Sequence, residues 1–142
     1  MTRGEADEGS ASVELAVLTP VVLAVLALMV AAGRIVTAHA ALDTATAAAA
    51  RVTSLARTAP AAHTTASTVT TQTLHDQGLH CQHTQLAVDT GGLTTPVGQA
   101  GTVSVDLTCT VALADLALPG MPGTVDLHSA FASPVDPYRG RS

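Results

Sequence analysis

Residues 13–32 read VELAVLTPVVLAVLALMVAA, and this apolar run decides how the rest of the chain can fold. Only Glu14, Thr19 and Pro20 interrupt it. At 1.5 Å per residue, about 20 helical residues match the ~30 Å hydrocarbon core of a bilayer. The rest of the chain is too small to surround such a helix with a core of its own. The run therefore predicts one membrane-spanning helix that accommodates Pro20, with or without a kink.

The predicted helix continues beyond the apolar run, because residues 35–57 are rich in alanine, the strongest helix former. Small or apolar residues recur there with the spacing of one helix face. They are Ile35, Ala38, Leu42, Ala45, Ala49, Val52 and Leu55. Pro60 predicts that the helix ends near Thr58. We therefore expect one rod over residues 10–58, with one half in lipid and the other outside.

Residues 59–142 predict a small extracytoplasmic domain. Residues 66–77 are typical of a short helix that Gly78 ends. Alternating apolar and polar residues predict strands over 82–89, 101–113 and 124–133, with a turn at 119–123. The predicted fold class is therefore α+β. A long transmembrane helix is followed by a three-stranded antiparallel head with one short helix.

Two cysteines, Cys81 and Cys109, lie in the predicted head. In the middle strand Cys109 alternates in phase with the valines, so a bridge to Cys81 would tie the first strand to the central one. Such a bridge stabilises a small domain by about 3–4 kcal/mol. The rival interpretation is a metal site formed by His75, His80, Cys81 and His83. Their spacing lacks the usual C-x2-C or H-x3-H pattern, so we favour the disulfide and expect no metal and no cofactor.

The orientation in the membrane follows from the cysteines rather than from the basic residues. The positive-inside rule counts Lys and Arg near the helix ends, where this chain has only Arg3 and Arg34. A single cysteine pair downstream of the apolar run indicates an oxidising compartment. We expect a single-pass protein of the cytoplasmic membrane, with its N-terminus inside and its C-terminal domain outside.

A conventional secretory signal is the alternative. The small-residue pattern Ala38-His39-Ala40 fits a signal-peptidase site, and cleavage there would release an exported, soluble binding domain. Against this, acidic residues outnumber Arg3 in the leader, and the pattern lies several residues beyond the apolar run.

Two function classes have little support in the composition. The formal net charge is −5, and the chain has one Phe, one Tyr and no Trp, which argues against nucleic acid as a partner. His75 and Asp76 are adjacent, but no Gly-x-Ser-x-Gly, phosphate-binding glycine or H-E-x-x-H motif accompanies them. We therefore expect that the protein is not an enzyme.

Residues 9–14 read GSASVE, a glycine and a glutamate separated by four residues at the start of an apolar run. This pattern resembles the processing site of type IV pilin-like proteins. Pro20 within the run, Gly33-Arg34 at its end and residues 49–51, AAR, together resemble the TadE-like pseudopilins of the tight-adherence (Tad, or Flp-type) pilus system. The tail at residues 133–140 also resembles actinobacterial members of that family.

The resemblance implies a leader at residues 1–9 that a prepilin peptidase cleaves after Gly9, leaving Ser10 as the mature N-terminus. Tad pilins usually have an aromatic residue after the glutamate, whereas this chain has Leu15. The implied function is that of a non-enzymatic pseudopilin in Tad pilus assembly. Its implied partners are the prepilin peptidase, other pilus-assembly membrane proteins, pilin subunits and membrane lipid.

Glu14 has a physical interpretation of its own. An ionised acid near the membrane boundary costs up to a few kcal/mol and is usually paired or functional. A new amine at Ser10 would lie one helical turn away on the same face, and this amine or that of a neighbouring subunit could neutralise the carboxylate and set the register of assembly. The alternative is that Glu14 lies among lipid headgroups, where its charge costs little.

Overall fold

The computed structural model describes residues 8–116 and 120–138, and for residues 8–13 it describes the backbone alone. Its helices are α1 (Glu8–Leu55), α2 (Ala59–Asp76) and the short α3 (Leu113–Leu116), with a 3-10 turn at Gly91–Thr94. Its strands are β1 (His83–Asp89), β2 (Gly101–Ala112) and β3 (Thr124–Val135). They form one antiparallel sheet in the order β1-β2-β3. The predicted α+β architecture is therefore confirmed.

The long helix α1 has 48 residues, which corresponds to about 72 Å. Its N-terminal part, from Glu14 to Thr37, is exposed along almost its whole length, and continuous packing against the head begins at Ala38. Pro20 lies inside the helix without ending it. The helix ends at Leu55, slightly before the predicted end near Thr58.

The second helix begins earlier than predicted. The sequence predicts a start at Ala66, whereas α2 begins at Ala59 and has 18 residues. Thr58 is its N-cap and accepts a hydrogen bond from the Ala61 amide at 3.4 Å, and Pro60 lies in the first turn. Proline is tolerated in a first turn because its missing N–H has no intrahelical acceptor there. Pro60 therefore opens α2 as well as following α1.

Alternate side chains of the middle strand β2 lie on the buried face and on the exposed face of the sheet. The alternation predicted for it is confirmed. The buried face carries Val103, Val105, Leu107, Cys109 and Val111. α1 and α2 form a helical layer that covers this face. The opposite face carries Thr, Ser and Asp side chains, and the described residues place no other element over it.

The core runs along α1 in three clusters of buried residues. The cluster next to the exposed half of α1 contains Ala38, Leu42, Ala45, Leu74, Leu107, Cys109, Val111, Leu116 and Leu127. The middle cluster contains Ala49, Ala50, Ala66 and Val105. The far cluster contains Ala62, Leu93, Val103 and Val135. Alanines on both helices let the backbones approach closely, so a head with few large side chains still buries a continuous core.

The helix face predicted from the spacing of small and apolar residues in α1 matches its buried face only in part. Leu55 is 75% exposed and Ile35 is 40% exposed. Thr46 and Thr53 are buried instead, and each hydroxyl donates to the carbonyl four residues earlier at 2.8 Å. These internal hydrogen bonds let a threonine occupy a core position without an unpaired hydroxyl.

Gly101, at the start of β2, lies against the backbone of the 3-10 turn. A Cβ built at Gly101 would collide with the carbonyl oxygen of Gly92 and come within 2.8 Å of the Thr95 hydroxyl. We expect Gly101→Ala to destabilise the head by about 1–3 kcal/mol, because the backbone must move to admit the methyl group. Thermal unfolding in detergent, followed by circular dichroism, measures this loss.

Gly33→Ala is the matched control, because a Cβ at Gly33 meets no atom within 4 Å. It should leave the unfolding temperature of the head unchanged. Equal unfolding temperatures for the two variants would contradict the close contact at Gly101.

Candidate functional site

The exposed half of α1 is the most unusual surface of the described residues. Its large apolar side chains are largely uncovered by the head, and its most apolar stretch has no buried residue. They are Leu15, Val17, Leu18, Val21, Val22, Leu23, Val25, Leu26, Leu28, Met29 and Val30. A continuous apolar surface of this size is unstable in water and marks contact with lipid or with other apolar helices. This N-terminal helix is therefore a candidate membrane anchor, consistent with a single-pass membrane protein.

The charged residues of α1 lie at the two ends of this surface. The stretch between Glu14 and Arg34 contains no Asp, Glu, Lys or Arg. In a continuous helix, Glu14 and Arg34 are about 30 Å apart along the axis, which is the thickness of the hydrocarbon core. A bilayer centred on this stretch therefore places both charges at the hydrocarbon boundaries, where a charge costs far less than at the bilayer centre.

Pro20 lies within the exposed stretch and leaves the carbonyl of Ala16 without its usual N–H donor. The residue before Pro20 is Thr19, and its hydroxyl donates to the carbonyl of Leu15 at 2.7 Å. The polar hydroxyl of Thr19 is thus satisfied within the helix, as a lipid-exposed position requires. The Thr19 interruption of the apolar run is therefore compatible with a membrane environment.

The predicted processing site lies in the first turn of α1. The helix begins at Glu8, so the Gly9–Ser10 peptide bond follows the first helical residue. The remainder of the leader, residues 1–7, is outside the described residues. Cleavage at Gly9 stays a prediction.

Glu14 is an exposed residue of α1 and has no ion-pair or hydrogen-bond partner among the described side chains. The backbone is helical from Glu8 onward, so Ser10 and Glu14 share a helix face four residues apart. An amine at Ser10 would therefore be on the same side of the helix as the carboxylate. The role of Glu14 in assembly stays a prediction.

The head is attached to α1 by polar contacts as well as by the core. The Ser129 hydroxyl of β3 donates to the carboxylate of Asp43 at 2.6 Å, and the Ser133 hydroxyl donates to that of Ser54 at 3.2 Å. These contacts join β3 to α1 at two separate points along the helix. Sequence periodicity places Asp43 on the exposed side of α1 and gives no sign of its serine partner, because only the fold brings β3 to this face.

Cys81 and Cys109 form a disulfide, with Cα atoms 5.4 Å apart. It joins the segment before β1 to the centre of the sheet, as predicted. The alternative metal site loses a ligand, because the Cys81 sulfur is bonded to Cys109. The described residues include no group of three His, Cys, Asp or Glu side chains placed to hold a metal ion.

His75 and Asp76 lie at the C-terminal end of α2. The His75 ring nitrogen is 3.7 Å from the carboxylate of Asp76, and their side chains are 81% and 61% exposed. Asp76 also accepts a hydrogen bond from the Gln72 amide at 2.8 Å. A catalytic pair works in a site that excludes water and presents a nucleophile, and this solvated pair has neither feature.

Comparison with known families identifies the long helix. Residues 9–51 match the family model described as TadE-like protein. The long helix is similar to TadE-like proteins over these residues, which are less than half of the chain. The match begins at Gly9 and ends at Arg51, so it covers the motif residues Glu14 and Pro20 and confirms the resemblance. No curated protein and no solved structure matches the chain.

The TadE-like match points to involvement in Tad pilus assembly together with other pilus proteins. It covers the exposed half of α1 and most of the part that packs against the head, and it ends before α2. The matched helix is therefore joined to a head that the family model does not cover.

Proposed function

We propose that this chain is a non-enzymatic, pseudopilin-like subunit that takes part in Tad pilus assembly. It resides in the cytoplasmic membrane with its N-terminus inside and its head outside. One observation carries the proposal: the exposed apolar half of the TadE-like helix runs without a break into the half that the head packs on. Because the helix is continuous, a movement of its membrane segment also moves the head. A subunit that enters or leaves an assembly as one unit requires this coupling.

The first chemical step in the proposal is removal of the leader. A prepilin peptidase at the cytoplasmic boundary cleaves the Gly9–Ser10 bond, which lies near the N-terminal end of α1. Cleavage removes residues 1–9, which include the acidic Glu8, and it creates an amine at Ser10. The mature helix then begins at the edge of the membrane.

Glu14 acts next in the proposal as the residue that sets the register between subunits. Because Glu14 lies at a hydrocarbon boundary, its unpaired carboxylate can stay ionised at a modest cost in free energy. The carboxylate can then pair with an amine when another subunit binds. The Ser10 amine of the same helix or of a neighbouring subunit supplies the opposite charge. Such a pair aligns helices along the membrane normal, while the apolar side chains between Glu14 and Arg34 provide the contact area.

The other proposed partners follow from this placement. Pilin subunits and assembly proteins of the membrane contact the apolar half of α1, and membrane lipid covers the remainder. The head contacts partners outside the membrane through surfaces other than its buried face. The solvated His75–Asp76 pair and the net charge of −5 support a role without catalysis and without nucleic acid.

The alternative, release by a signal peptidase after Ala40, conflicts with the packing of the head. Ala38 and Ala41 are buried on either side of that bond, and Ala38 belongs to the core cluster next to the membrane half. Cleavage there would remove Ala38 from the core and leave a cut end at the start of the packed helix. The exported-domain interpretation is therefore not favoured.

Fractionation and protease accessibility test the placement of the full-length protein in the membrane. We expect it to stay in the membrane fraction after alkaline extraction. Protease added to spheroplasts should remove the head while a cytoplasmic marker protein survives. Release by alkali, or a head protected until the membrane is broken, would contradict the proposal.

A further inference from the structure

A cavity of about 490 Å³ lies between α1 and the end of the head nearest the membrane half. α1 contributes Arg34 and Thr37, the segment after α2 contributes Gln77 and His80, and α3 contributes Asp115. Antiparallel pairing explains why these segments meet, because the start of β1, the end of β2 and α3 all lie at one end of the sheet. A cavity of this size is in the range that binds small ligands.

The cavity is at the level of the lipid headgroups if the apolar stretch of α1 spans the membrane. Arg34 marks the outer end of that stretch, and Thr37 is about 4.5 Å further along the axis. The headgroup layer adds about 5–7 Å to each side of the hydrocarbon core. The wall formed by Arg34 and Thr37 is therefore within reach of headgroups of the adjacent leaflet.

Two opposite charges line this cavity without pairing. The guanidinium of Arg34 and the carboxylate of Asp115 form no ion pair with each other, and neither side chain has a hydrogen-bond partner within the parts of the chain that the structure describes. His80 and Gln77 add polar atoms to the wall. A ligand that satisfies both charges carries an anionic group and a cationic group on one short headgroup.

We propose that this cavity binds the headgroup of phosphatidylethanolamine, with the lipid phosphate on Arg34 and the lipid ammonium on Asp115. The inference rests on the proposed membrane location. Arginine matches phosphate oxygens with paired N–H donors, and the ammonium has N–H groups for a carboxylate. Phosphatidylcholine has the same phosphate but no N–H group, and phosphatidylglycerol has no cation. The chemistry of the cavity therefore selects ethanolamine over both.

Native mass spectrometry of the full-length protein in detergent measures this selectivity. The protein is mixed with equal amounts of phosphatidylethanolamine, phosphatidylcholine and phosphatidylglycerol of the same acyl chains, and the retained lipids are counted. We expect phosphatidylethanolamine to be retained about fivefold more than either competitor, in keeping with one partly exposed charge pair. Asp115→Asn should remove that preference, and Arg34→Gln should lower the retention of all three lipids, because all three carry the phosphate.

Two matched variants are controls. Arg51→Gln removes an exposed cation from the part of α1 beyond the cavity, and Asp106→Asn removes an exposed acid on the uncovered face of the sheet. Both should keep the preference for phosphatidylethanolamine. Equal retention of the three lipids, a preference that survives Asp115→Asn, or undiminished lipid retention by Arg34→Gln would overturn the inference, as would stronger binding of phosphatidylglycerol. If the protein is extracted by alkali, the proposed membrane location fails first, which separates the two failures.

Discussion

Replacing Cys81 and Cys109 together by alanine is expected to lower the free energy of unfolding of the head by about 3–4 kcal/mol. The disulfide closes a loop with a sequence separation of 28, and opening it restores conformational freedom to the unfolded chain. Cys109 is fully buried, so alanine rather than serine avoids adding an unpaired hydroxyl to the core. The head is small and its core is built largely from Ala and Val, so this loss is a large part of its stability.

Denaturant unfolding of the purified, full-length protein in detergent measures this effect. Reducing agent should destabilise the natural protein by the same amount and leave the double-alanine variant unchanged. An unfolding midpoint that is equal with and without the disulfide would show that the bond contributes nothing to stability.

Changing Glu14 to alanine is expected to abolish assembly of Tad pili while leaving the head folded. The substitution removes the proposed partner of the Ser10 amine. Glu14 lies at the far end of the exposed half of α1 from Ala38, where continuous packing of the head begins, so the substitution should not alter the core. Glu14→Gln should also fail, because it keeps the size of the side chain but not its charge. Pili counted by electron microscopy in a strain that carries only the variant provide the measurement.

Glu14→Asp is the control for this substitution, because it keeps a carboxylate at the same helix position. It should leave piliation intact. The amount of variant protein in the membrane and the presence of the Cys81–Cys109 disulfide report that each variant inserts and folds. Normal piliation by Glu14→Ala would place Glu14 among the headgroups without a role in assembly.

The strands are the part of the fold that sequence patterns predict best. Each begins and ends close to its predicted bounds, because the alternation of apolar and polar residues is strict where one face is buried and the other is wet. The pairing of Cys81 with Cys109 follows from the phase of Cys109 in that alternation. The order of the strands is not predicted in the same way, because it depends on register and turns.

The boundary between the helices is predicted less well, and Pro60 is the reason. A proline after a helical run predicts that the helix ends before it, and α1 does end before Pro60. The same residue suits the first turn of the next helix, where Thr58 provides the cap. From the sequence alone, a proline can either follow the end of one helix or lie in the first turn of the next. The packing of Ala62 and Ala66 in the core shows that a second helix begins here.

Apart from the disulfide, the side-chain contacts that join distant segments could not be predicted from the sequence. Asp43 and Ser129 are 86 residues apart, and Arg34 and Asp115 are likewise far apart in the chain. Neither pair belongs to a motif. Asp43 contacts Ser129 because β3 packs along α1, and Arg34 and Asp115 line one cavity because α3 follows the central strand beside the exposed half of α1. Long-range neighbours of this kind depend on the complete topology rather than on local pattern.

The N-terminal sequence of the mature protein, recovered from the membrane fraction of the native cell, tests the pseudopilin assignment most directly. Prepilin-type processing predicts a chain that begins at Ser10, with the leader removed and Glu14 as its fifth residue. A chain that begins at Ala41 would contradict the account, because it would mean that the apolar half of the TadE-like helix is discarded and the head is exported as a soluble domain.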